Sequence, residues 1–167
     1  MKKIIVIGSP GSGKSTFSRA LHTTTGIPLY HLDMMYWNED RTVVPKELFH
    51  ERLKCALEKD EWIIDGNYSS TMEMRMSLCD TVIFLDFPTE ICLEGIKERC
   101  GKKRSDIPWV EMGEDTEFTE FVKTFQTVQR PEILTLFDEY RDKSIVVFKS
   151  REEADDYLRE RIRQNVH

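Results

Sequence analysis

The strongest chemical signal lies close to the start of the chain. Gly8, Ser9, Pro10, Gly11, Ser12, Gly13, Lys14 and Ser15 fit the spacing G-x-x-x-x-G-K-[ST], with Thr16 next in line. Glycines in such a loop let the backbone wrap closely enough to aim successive N–H groups at one anion. A helix opening near Lys14 adds the positive end of its dipole. Lys14 suits the β- and γ-phosphates. The Ser15 hydroxyl suits Mg²⁺, whose other ligands are mostly phosphate oxygens and waters. A β-branched run, Ile4 to Ile7, leads directly into the loop, as a strand feeding a phosphate loop requires. Residues Gly8 to Thr16 are therefore expected to bind a nucleoside triphosphate, ATP with Mg²⁺.

Phosphoryl chemistry also asks for a carboxylate near the metal and for cations around the transferred group. Asp65 and Asp86 each end an apolar run and are the two candidates for the metal side. Asp65 is favoured because Gly66 leaves space beside it. Asp33, further out, is placed to face an acceptor substrate, holding it or taking its proton. Arg99, Lys102, Lys103 and Arg104 precede an irregular stretch, and Arg130 lies beyond it. Arg99, Arg104 and Arg130 are expected to close over the transferred phosphoryl group. The four histidines, His22, His31, His50 and His167, show no ligand spacing, and the stripe from Phe118 to Phe125 reads as core packing.

Positioning these groups calls for alternating strands and helices. Strand-like runs occur at residues 4–7, 29–32, 62–64, 81–85 and 144–148, and helical periodicity fills the intervals. That order implies βαβ crossovers, hence a parallel sheet covered on both faces, with ligands beyond the carboxyl ends of the strands. Asp33, Asp65, Asp86 and the glycine loop all fall at those ends. The stretch 101–116 has no clean period and carries Gly101, Pro108 and Gly113, as a mobile lid would.

The chain has 167 residues, 40% apolar and 32% charged, which suits one soluble domain over 1–167. Its net charge of −6 speaks against non-specific nucleic-acid binding, although Lys102 to Arg104 form a local basic patch that keeps it open. The four cysteines form no CxxC pair, in keeping with reduced thiols and a cytoplasmic setting. No apolar run is long enough for a membrane span. The oligomeric state is unmarked.

Beyond the loop, the segments HLDMMYW, WIIDGNYSSTMEMR, DTVIFLDFP, QRPEIL and FKSREEADDYL together resemble the bacterial DNA topology modulation proteins (FlaR-like), which are similar to adenylate kinase. The resemblance spans nearly the whole chain. It implies a three-layer α/β P-loop fold of nucleoside-monophosphate-kinase type, a five-stranded parallel sheet of order 2-3-1-4-5, and a short lid at about 101–116. The D-G-F-P-R segment of adenylate kinase aligns with Asp65 to Ser69. It places a metal-side carboxylate at Asp65 and leaves Ser69 where the AMP-gripping arginine would stand. Arg75, one helical turn on, is the substitute for holding substrate.

The expected activity is Mg²⁺-dependent phosphoryl transfer from ATP to a small acceptor such as a nucleotide. The alternatives are a nucleotide-dependent regulator influencing DNA topology, and a plain NTPase.

Overall fold

The computed structural model describes residues 1–113 and 115–165. Glu114, inside the expected lid, and His167 lie outside the described residues. Five strands form one parallel sheet in the order β2-β3-β1-β4-β5. They are β1 (Lys3–Gly8), β2 (Leu29–His31), β3 (Trp62–Asp65), β4 (Thr81–Leu85) and β5 (Ser144–Phe148). The central strand β1 pairs with β3 on one side and β4 on the other. Its continuous apolar run is explained by burial on both faces.

Side chains alternate across that sheet. Ile5 and Ile7 join Trp62, Ile64, Val82 and Phe84 on one face. Ile4 and Val6 join Ile63, Ile83 and Leu85 on the other. The first face is covered by α2 (Leu32–Tyr36), α3 (Lys46–Leu57), α4 (Ser69–Leu78) and α7 (Gln129–Glu139). The second is covered by α1 (Lys14–Thr25), α5 (Thr89–Arg99), α6 (Thr116–Thr124) and α8 (Arg151–Asn165). The result is a three-layer α/β sandwich, as expected.

Two local expectations are revised. Strand β2 stops at His31, so Asp33 sits in the first turn of α2 rather than at a strand end. Arg130 and Pro131 lie within the first turn of α7, where a missing N–H costs nothing. The stripe expected to be core is only partly so: Val122 and Phe125 are buried, while Phe121 is exposed.

Candidate functional site

The loop between β1 and α1 is held from two directions. Asn67, just past β3, grips Gly8 by both backbone atoms. The Gly8 N–H donates to Asn67 Oδ1 at 3.1 Å, and Asn67 Nδ2 donates to the Gly8 carbonyl at 2.8 Å. From the other side α5 packs directly on Gly11. A Cβ on Gly11 would lie 2.0 Å from the Cys92 carbonyl oxygen, and one on Gly95 would lie 2.1 Å from the Gly11 carbonyl oxygen. Helix α1 then opens from Gly13 with no side-chain cap. Its first backbone bond runs from Phe17 N–H to the Gly13 carbonyl at 2.9 Å, so the preceding amides are left at the positive end of the helix. The Ser12 hydroxyl is buried and unpartnered among the described residues, which an anion oxygen would remedy.

Lys14 turns back along the loop, its Nζ donating to the Ser9 carbonyl at 3.1 Å. Burial pushes its ammonium below the usual lysine range, against the opposing pull of Asp65 and Asp33. These carboxylates therefore share one electrostatic neighbourhood with Lys14. Asp65 is buried at the end of β3 and bonds His31 Nδ1 at 2.7 Å. Asp33 accepts a short hydrogen bond from the Tyr68 hydroxyl. Burial raises the Asp33 carboxyl above its ordinary value, and burial together with Asp33 raises the Tyr68 phenol. Tyr68 has φ 36°, in the left-handed region that a side chain adopts reluctantly, so its place beside Asp33 is over-determined by its surroundings. Asp86, after β4, is held by Arg130 through Nε at 2.9 Å and Nη2 at 2.9 Å, and also by Lys149. Although burial raises it, these two cations bring the Asp86 carboxyl below its usual range.

The stretch 101–113 forms neither helix nor strand, yet it is docked on the loop. Asp106 and Ile107 are buried. Asp106 Oδ2 accepts the Ser15 hydroxyl at 2.7 Å, and Arg19 donates to Ser105 Oγ at 3.1 Å. Arg104 pairs with Asp106, its Nε 2.9 Å from Oδ1, and with Glu111 at 2.8 Å. Arg99 reaches the same Glu111 at 2.8 Å. The Gly101 N–H donates to the Glu111 carbonyl at 2.6 Å, which closes the base of the segment. Its far side meets the stretch after α2. Trp109 lies edge-on to Trp37 with centroids 5.4 Å apart, and Arg41 sits 5.6 Å over the Trp109 ring.

A parallel sheet with a glycine loop after its central strand, an uncapped helix and a docked roof can be compared with solved structures. A shikimate kinase from Acinetobacter baumannii in complex with shikimate superposes with a TM-score of 0.62 at 14% identity, covering 99% of this chain and 93% of that one. A deoxyadenosine kinase from M. mycoides with bound dATP gives 0.55 at 15% identity, covering 96% and 98%. This chain has the P-loop kinase fold. No family model and no curated protein matches its sequence.

Within this P-loop kinase fold, Asp33 and Asp65 act electrostatically on Lys14 of the loop, and Asp106, bonded to Ser15, brings the stretch carrying Arg104 onto the loop. Arg99 and Arg104 are already paired with acids. Arg130 is engaged by Asp86 instead. Arg75, expected to hold substrate, is turned into the protein instead. It is fully buried, and its guanidinium donates to Thr71 Oγ1 at 3.2 Å, to the Gly66 carbonyl at 3.0 Å and to the carbonyls of Asn67 and Tyr68. Burial lowers its pKa to about 9. It is thus a scaffold for the loop after β3.

Sequence reasoning missed His31, Asn67, Tyr68, Asp106 and Glu111. His31 has no ligand spacing in the sequence, and its partner is a carboxylate on the neighbouring strand. For Asn67 and Tyr68 the available signal was their place directly after Asp65-Gly66 at a strand end. Asp106 and Glu111 gave none beyond being acids in a basic stretch.

Proposed function

We propose that this protein transfers the γ-phosphoryl group of ATP, with Mg²⁺, to a small acceptor. The observation that carries the reading is an uncapped phosphate loop bearing Lys14, with the 101–113 segment docked on it through Ser15 and Asp106. The shikimate- and dATP-bound neighbours of like fold support a small-molecule acceptor and a nucleotide ligand.

The donors around the loop are oxygens: the Ser15 hydroxyl and the carboxylates of Asp65 and Asp106. That set suits a hard cation. Ser15 and Asp65 would hold Mg²⁺, which when bound would neutralise charge on the phosphates. The loop amides and Lys14 would grip the β- and γ-phosphates. Asp33 would accept the proton of an acceptor hydroxyl as its oxygen forms the new bond to phosphorus. The bond from phosphorus to the bridging oxygen would break, and ADP would depart with that electron pair. Arg104 and Arg99 would exchange their carboxylate partners for the transferred group, with Arg130 held in reserve by Asp86. Residues 101–116 would act as the lid of a single domain over 1–167.

The acceptor is a small molecule, and a nucleotide is one such class. With Ser69 in place of an arginine and the Arg75 donors engaged, AMP would be a poor one. The finer resemblance to topology modulation proteins supports the regulator alternative, for which Lys102 and Lys103 remain as exposed charges.

The test is ATP consumption and product formation against a panel of nucleoside monophosphates, nucleosides and small alcohols. Acceptor-dependent ADP release is expected. ATP hydrolysis indifferent to every acceptor would make it a plain NTPase. Salt-sensitive DNA binding without turnover would favour the regulator.

A further inference from the structure

The hydroxyl of Ser15 has one proton and two lone pairs. Its proton goes to Asp106 Oδ2 at 2.7 Å, across 91 positions of sequence. Both lone pairs are then directed away from the carboxylate, free for a hard cation on the loop side. Asp65, the strand-end carboxylate assigned to the metal, bonds His31 instead. Nothing on the sheet therefore sets the rotation of the Ser15 hydroxyl, and a residue of the roofing segment does.

Asp106 is itself firmly set. It is 3% exposed. Its Oδ1 takes Arg104 Nε at 2.9 Å, Arg104 reaches Glu111 at 2.8 Å, and Glu111 reaches Arg99 at the end of α5 at 2.8 Å. The adjoining Ser105 is tied to Arg19 of α1 at 3.1 Å. The carboxylate is thus anchored on both helices that border the loop.

We propose that Asp106 is the positioning residue of the metal site: by accepting the Ser15 proton it orients that hydroxyl for the cation, so docking of the 101–113 segment and completion of the metal site are one event. The inference rests on the nucleotide-binding reading given above. It extends it by adding, beside Asp65, a carboxylate on the roof that acts on the metal site through Ser15.

The experiment measures equilibrium binding of a fluorescent β,γ-imido ATP analogue to the full chain, with and without Mg²⁺. The proteins are wild type, Asp106→Asn, Asp106→Glu, Ser15→Ala and the double variant Ser15→Ala/Asp106→Asn, each checked for folding by circular dichroism. In wild type, Mg²⁺ should tighten binding. In Asp106→Asn that gain should shrink about tenfold, the scale of one charge-assisted hydrogen bond. Mg²⁺-free affinity should stay within about threefold of wild type, and Asp106→Glu should recover part of the gain. The double variant should lose no more than Ser15→Ala alone, because the two residues act as one unit.

An unchanged Mg²⁺ gain in Asp106→Asn overturns the proposal and leaves the nucleotide reading intact. So does a rise in Mg²⁺-free affinity with the gain preserved, since Asp106 would then be a competitor that nucleotide displaces. Additive losses in the double variant also overturn it. Absence of analogue binding to wild type overturns the nucleotide reading, and this inference with it.

Discussion

At the scale of single residues, the site combines side chains held by protein partners, such as Asp86 and Asp106, with groups left open, such as the Ser12 hydroxyl. Lys14→Ala is expected to lower phosphoryl transfer by orders of magnitude, because it removes a charge aimed at the group in transit. Steady-state turnover checks this, and wild-type turnover in the variant would remove the loop assignment. Asp33 and Asp86 should leave opposite signatures in stability against pH. Asp86 has a depressed carboxyl, so its contribution is present above the ordinary carboxylate value and is lost as pH falls through its folded value. Asp33 has a raised carboxyl, so the native state loses stability as pH rises from the ordinary value through the raised one. Asp33→Asn should therefore equal or exceed wild type in neutral-pH stability while losing transfer. Asp86→Asn should be less stable at neutral pH and flatter towards acid. Denaturant unfolding across pH 3 to 8 would separate the two. Asn67 permits no isosteric exchange, since an aspartate has no donor for the Gly8 carbonyl.

At the scale of elements, helix α5 and the phosphate loop touch backbone to backbone. Gly95→Ala would place a carbon 2.1 Å from the Gly11 carbonyl oxygen, so one of the two must move. The expected cost is about 1–3 kcal/mol of overpacking, together with weakened nucleotide binding, because the loop is the lighter partner. A normal unfolding midpoint and affinity in Gly95→Ala would show that the contact is not tight. The elements themselves were largely legible. The apolar runs at residues 62–64 and 81–85 became strands because buried parallel strands read as unbroken hydrophobic segments, and 144–148 joined them as the edge strand. The glycine spacing and Asp65 were legible for the same reason: local backbone needs and strand ends are written locally. What was not legible depends on partners distant in sequence. Ser15 and Asp106 meet across 91 positions, and His31 and Asp65 across 34. Arg75 looked available because burial of a guanidinium among backbone carbonyls leaves no periodic trace. The turn of Leu32–Tyr36 into a helix was hidden by its apolar residues, which a strand would also accept.

At the scale of the whole molecule, the carboxyl ends of the strands carry all of the proposed chemistry. Arg104→Ala should reduce turnover far more than ATP affinity, because its charge is useful chiefly after it leaves Asp106 and Glu111 for the transferred group. Equal losses in both would make it a ground-state contact. AMP should yield little ADP compared with other acceptors, and rapid production of two ADP from ATP and AMP would mean that a buried Arg75 can be released. The two indoles across the mouth have a further use. Trp37 and Trp109 stand 86° apart in ring plane with centroids 5.4 Å apart, and the third tryptophan, Trp62, is sealed inside β3. Chromophores so close couple their electronic transitions. The molecule therefore carries an optical gauge of its own: any separation of the 101–113 segment from the stretch after α2 should weaken a near-ultraviolet dichroic signal, read against an interior indole.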